Sequence, residues 1–149
     1  MAGSRRSGVE HERALVREAW EKGFFAIRAA GSGSGTSAYP KPDLIIFRPG
    51  GVVDVVQVKT TRKNRVRFTP RAWADEVRAA RRLRALGFQV RVWLNLKILK
   101  PGRPREAMLR IDGHEEEALV VDYDAKRDLL RYKWREPQTK RHRGESRLA

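Results

Sequence analysis

The sequence predicts an α/β fold with a mixed central sheet flanked by helices. Three observations predict it: an amphipathic helical stretch near the N-terminus, two apolar strands joined at Gly50 and Gly51, and a second amphipathic helix that runs into another apolar strand. Helix, hairpin, helix and strand in that order fit a layered sheet better than an all-β fold. A chain of 149 residues, 40% of them hydrophobic, fills one core but not two full-sized domains. The expected division is a single domain over residues 1–135 and a polar, flexible tail over 136–149.

From Glu12 to Lys22, Leu15, Val16, Ala19 and Trp20 recur at helical spacing, and Gly23 ends the run. FFAIRAA reads as the first strand. GSGSGTSAYPKP is a loop, because its glycines, serines and prolines oppose any regular element. DLIIFRP and VVDVVQVKT form a hairpin about the Gly-Gly turn. Thr69 and Pro70 supply an N-cap and first helical residue for a helix from Arg71 to Leu86, with Trp73, Val77, Ala80 and Leu83 or Arg84 on its inward side. Gly87 stops it, and FQVRVWLNL follows as a strand with Val90, Val92 and Leu94 on one face. MLRI, ALVVDY and DLLRYKW extend the sheet or build a small edge layer.

Charge points to the partner. Lys and Arg number 33 against 18 Asp and Glu, a formal net charge of +15. Clustered cations attract phosphates and release condensed counterions on binding, so nucleic acid is the first candidate. An RNA module is disfavoured by the lack of a recognisable aromatic base-reading motif. The absence of Cys excludes disulfides, thiol catalysis and cysteine-ligated metals. No segment gives the uncharged run of a membrane span or a secretion signal, so the expected location is cytoplasmic, with nucleoid association when DNA is bound. Asp112 to Asp124 contains six acids and no Lys or Arg, and is expected to face away from a phosphate backbone.

The residues that carry chemistry are Asp43 at the start of one strand, Gln57 and Lys59 on the next, and Glu12 on the first helix. Residues two apart on a strand share a face, so Gln57 and Lys59 point the same way, toward Asp43 across the hairpin. A polar cluster inside apolar sequence needs a partner or a ligand. Asp43 and Glu12 can hold Mg²⁺, or Mn²⁺ in its place, through carboxylate oxygens, and the Gln57 carbonyl can add a neutral one. Lys59 can position or activate water and offset charge on an attacked phosphate. Asp54 lies three residues from Gln57 and so falls on the opposite face of a regular strand.

In order along the chain, GVEHERALV, GFFAIRAAGS, KPDLIIF, VVQVKTT, the long helix and FQVRVWLNLK resemble the archaeal Holliday junction resolvase family of the PD-(D/E)XK nuclease superfamily. The resemblance implies a restriction-endonuclease-like fold, metal-dependent paired cleavage of four-way junctions, and a homodimer acting in DNA recombination and repair. It also assigns Glu12 to the family's helix acid, Asp43 to the acid after its proline, here Pro42, and Lys59 to the lysine of its E-x-K strand. Arg13 and Arg28 match its phosphate-facing cations, and Gly31 and Ser32 its mobile loop, with Ser32 positioning substrate. Gln57 stands where the family pattern has Glu and loses its charge; related restriction-type nucleases use a Q-x-K form. Two alternatives stay open: a junction-binding paralogue with weak or no cleavage, and a restriction-like nuclease of duplex DNA.

Arg62, Lys63 and Arg65, with Arg67 beyond them, form a basic segment for supporting the arms of branched DNA. Arg71, Arg78, Arg81 and Arg82 on the second helix are a further set. Trp73 and Trp93 are assigned to packing, and His11 and His114 to surface or satisfied polar roles.

Overall fold

The computed structural model describes residues 2–29, 38–100 and 104–136, with side chains described from residue 8 onward. The predicted Gly31 and Ser32 lie outside the described residues, as do residues 137–149 of the expected tail. Helix α1 (Ala2–Glu21) starts well before the predicted Glu12, and strand β1 is Phe25–Arg28. The hairpin forms as β2 (Leu44–Arg48) and β3 (Val52–Thr61), antiparallel with Arg48 opposite Val52. Strand β4 (Arg65–Phe68) leads through a 3-10 turn (Pro70–Trp73) into α2 (Ala74–Ala85). The remaining strands are β5 (Gln89–Ile98), β6 (Arg105–Arg110), β7 (Ala118–Asp124) and β8 (Leu129–Arg135).

Both helices end in the same way. Gly23 and Gly87 adopt φ of 85° and 98°, which only glycine takes without a Cβ penalty. The following N–H groups turn back onto the last helical turn, Phe24 to the Ala19 carbonyl at 2.9 Å and Phe88 to that of Leu83 at 3.1 Å. The predicted N-cap is corrected: Thr69 is extended but its side chain makes no capping hydrogen bond, and Pro70 opens a 3-10 turn instead of the α-helix. Proline supplies no N–H there, which leaves less for a cap to satisfy.

The main sheet has the order β1-β2-β3-β5-β6 and is mixed, β3 and β5 running parallel and the other neighbours antiparallel. Val53 and Val55 of β3 pack with Trp73, Val77 and Ala80 on one side. Leu44, Val56 and Val58 pack with Leu15 and Val16 of α1 on the other. Helices thus cover both faces. All five inward residues of β5, Val90, Val92, Leu94, Leu96 and Ile98, are buried.

The C-terminal strands resolve the choice left by the sequence. Strand β6 extends the main sheet, whereas β7 and β8 join β4 in a separate three-stranded sheet of order β4-β7-β8. Val66, Phe68, Leu119, Val121, Leu130 and Trp134 turn inward from it to the same core as α2. Trp73 is fully buried, its indole N–H donating to the Glu115 carbonyl at 3.0 Å. Trp93 is half-buried, with the guanidinium groups of Arg91 and Arg110 over its ring. Among the described residues, no helix is long and apolar enough to cross a membrane.

Candidate active site

Register fixes which side chains meet. Leu44 pairs with Val56, and Leu44 belongs to the α1 face, so Asp43, Gln57 and Lys59 turn toward the α2 face at the end where β2 begins and β3 finishes. Asp43 is 6% exposed and is held from four directions. Its Oδ2 accepts from the Val58 N–H at 2.9 Å and from Gln57 Nε2 at 2.7 Å. Its carbonyl accepts from the Ala29 N–H at 3.1 Å, and its own N–H donates to Glu76 Oε2 at 3.0 Å. Lys59, two residues on from Gln57, is half-buried.

Glu12 reaches the same region from α1. Its Oε1 accepts from Arg28 Nε at 2.9 Å, so Arg28 is committed to an ion pair rather than standing as an isolated surface cation. Burial, then the Asp43 charge, push the Glu12 carboxyl above its ordinary range, against the pull of Arg28. Arg13 is exposed. The Asp54 argument holds: its carboxylate lies on the other face, 2.7 Å from Arg91 Nε and 3.0 Å from the Trp93 indole nitrogen.

One acid here escaped the sequence reading. Glu76 of α2 is 1% exposed, and its Oε1 is buried with no hydrogen-bond partner among the described residues. Burial, then the Asp43 charge, raise its pKa to about 8. Its signal was present, because Glu76 falls three residues after Trp73 and four before Ala80, in phase with the inward stripe.

The donor set suits a hard divalent cation. Among the described residues no three His, Asp or Glu side chains are grouped closely enough to hold a metal. A cation at Asp43 would therefore also draw on amide or carbonyl oxygen. Such oxygens converge already: the Gln57 side-chain nitrogen lies 2.7 Å from Asp43 Oδ2 and 3.3 Å from the Val58 carbonyl. The Gln57 NH₂ is the donor that both of these oxygens share. Turning the amide over would bring its own oxygen to the same point, an arrangement that repels unless a cation intervenes.

Cations surround this end of the sheet. Arg62 and Lys63 are exposed on the connection from β3 to β4, and Arg65 is exposed at the start of β4. Register then aligns Arg65 and Arg67 of β4 with Arg131, Lys133 and Arg135 of β8 on the outer face of the small sheet. The three β8 cations were not singled out in the sequence, because their neighbours are remote along the chain. Asp122 sits opposite both Arg65 and Arg131 on this face, and Asp112, away from it, pairs with Arg84 and Arg110. On α2, Arg78, Arg81 and Arg82 line a cleft of about 550 Å³ with Tyr39 and Pro40. The two described histidines are satisfied polar groups: His11 is buried 2.7 Å from Asn95 Oδ1, and His114 stacks on Trp134 and lies 2.8 Å from Glu117 Oε1.

Comparison with known families bears on the chain as a whole. The family description "Archaeal Holliday junction resolvase (Hjc)" matches residues 3–120. The chain belongs to that family. Hjc resolvases are metal-dependent nucleases that resolve DNA junctions, consistent with the PD-(D/E)XK superfamily. The match ends within β7, so β8 and its cations lie beyond it. Among solved structures, the chain is similar to the 1.6 Å structure of Archaeoglobus fulgidus Hjc, a Holliday junction resolvase from an archaeal hyperthermophile, with 27% identity over 76% of this chain and 85% of that one and a TM-score of 0.48. No curated protein matches the sequence.

Proposed function

We propose that this Hjc-family protein is a structure-specific endonuclease that resolves four-way DNA junctions by metal-dependent, paired phosphodiester hydrolysis. The observation that carries the reading is the meeting of Asp43, Gln57 and Lys59 on one face, at a sheet end bordered by exposed cations.

Asp43 and the Gln57 carbonyl would hold Mg²⁺, or Mn²⁺ in its place, with Glu12 as a further oxygen donor. When bound, the ion polarises the attacked phosphate and acidifies water. Lys59 orients the attacking water and offsets the charge that gathers on the phosphoryl oxygens. Arg13, with Arg28 holding Glu12, would set the scissile strand, and Gly31 and Ser32 are proposed to approach it. Arg62, Lys63 and Arg65 would hold the arms by phosphate contacts that read little sequence.

Paired nicks need two sites related by symmetry, as in a homodimer. Phe25 and Ile27 on the edge strand β1 are 49% and 45% exposed and offer apolar surface for such pairing.

The test is to incubate the protein with matched four-way, duplex and single-stranded DNA across Mg²⁺ and Mn²⁺ concentrations, reading binding and strand-resolved cleavage together. Paired nicks confined to the four-way substrate are expected. Junction binding without nicks at any metal concentration would instead identify a binding paralogue, and equal cleavage of duplex a restriction-like enzyme.

Gln57→Glu gives a second expected result. It replaces a 2.7 Å hydrogen bond to Asp43 by two facing carboxylates, which repel until a cation lies between them. The variant should melt lower than wild type without metal, gain more from added Mn²⁺, and cleave at lower Mg²⁺. An unchanged metal titration would remove Gln57 from the site.

A further inference from the structure

We propose that Glu76 is the second carboxylate of the Asp43 cation site, supplying from α2 the negative charge that Gln57 does not supply from β3. The inference rests on the reading of Asp43 and Gln57 as cation-holding residues, and adds to it a residue outside the family's strand motif.

Charge balance states the need. Gln57 is neutral, and Glu12 is engaged by Arg28 at 2.9 Å. Among the described residues Asp43, like Glu76, makes no ion pair with a Lys, Arg or His side chain. A divalent ion is held better where more than one carboxylate faces it.

Glu76 meets that need by position. It lies on the helix that covers the Gln57 face of β3, and its Oε2 already bonds the Asp43 backbone at 3.0 Å. Its Oε1 is the notable atom, buried without a partner among the described residues in a side chain that is 1% exposed. An unpaired carboxylate oxygen in such a place costs folding free energy that an apolar residue would avoid, and the neighbours Val77, Ala79 and Ala80 show that α2 accommodates apolar residues there. A cation shared with Asp43 gives that oxygen its partner.

The competing role is purely positional, with Glu76 doing no more than fixing the Asp43 backbone. Glu76→Gln separates the two, because an amide oxygen still accepts the Asp43 N–H but carries no charge. Mn²⁺ binding to the full chain, followed by depletion of the free-ion EPR signal, is measured for wild type, Glu76→Gln, Gln57→Glu and the double variant, each with its melting curve. The expected result is at least about a tenfold loss of Mn²⁺ affinity in Glu76→Gln. Gln57→Glu in the Glu76→Gln background should restore it, since the charge returns from the strand.

Affinity within about twofold of wild type in a folded Glu76→Gln would overturn the proposal and leave the Asp43 and Gln57 reading intact. Loss of affinity that the double variant does not restore would also overturn it, as a defect of positioning. Should wild type itself bind no Mn²⁺, the underlying reading fails and the proposal with it.

Discussion

Asp43→Asn is expected to reduce strand cleavage roughly a thousandfold, about 4 kcal/mol of transition-state stabilisation, while junction affinity measured in EDTA stays within about threefold. Asn keeps the shape and can still accept from Val58 and Gln57, so what it removes is the charge. Affinity for a junction comes chiefly from many distributed phosphate contacts, whereas Asp43 would act on one phosphate. Stability should move the other way. Burial first, and then the Asp43 charge, raises the carboxyls of both Glu12 and Glu76, and the substitution takes that charge away. Removing it should leave the melting temperature unchanged or higher, the mark of a site kept for function at the expense of stability. Lys59→Ala should also lose cleavage, by about a hundredfold or more, with binding retained. Parallel losses of folding and junction affinity in either variant would sink the assignment.

What the sequence made legible was whatever depends on neighbours close along the chain. The hairpin could be read because apolar runs flank Gly50 and Gly51, and that alone brought Asp43 and Gln57 together. The helix bearing Trp73, Val77 and Ala80 was legible from its period, although its first turn is 3-10. The small sheet was not legible, because β4 finds its partner β7 more than fifty residues later, and the cations of Arg65–Phe68 mask the alternation of Val66 and Phe68. Glu76 escaped for another reason. Acids in the first turn of a helix are ordinary partners of its dipole, and Asp75 and Glu76 look alike there. Only the inward phase of α2 separates them, half-buried Asp75 from fully buried Glu76.

Asp54→Ala is expected to do the opposite of Asp43→Asn: lower stability by about 3 kcal/mol, or roughly 10 °C in melting temperature, with cleavage per folded molecule retained. Both aspartates are buried and both sit on the hairpin, but Asp54 faces α1 and is surrounded by compensation. Arg91 grips it with two nitrogens at 2.7 and 3.0 Å, Arg48 approaches to 2.5 Å, and Trp93 donates its indole N–H at 3.0 Å. Removing the carboxylate strands the Trp93 donor and brings two guanidinium groups together without their counter-charge. The loss falls short of that for a fully buried pair because Arg48 is 41% exposed and can turn into water. Differential calorimetry beside a junction-cleavage assay checks the pairing of effects. A variant that melts like wild type but fails to cut would place Asp54 in the chemistry after all, and so overturn the division of the hairpin into one face that holds the fold and one that serves the reaction.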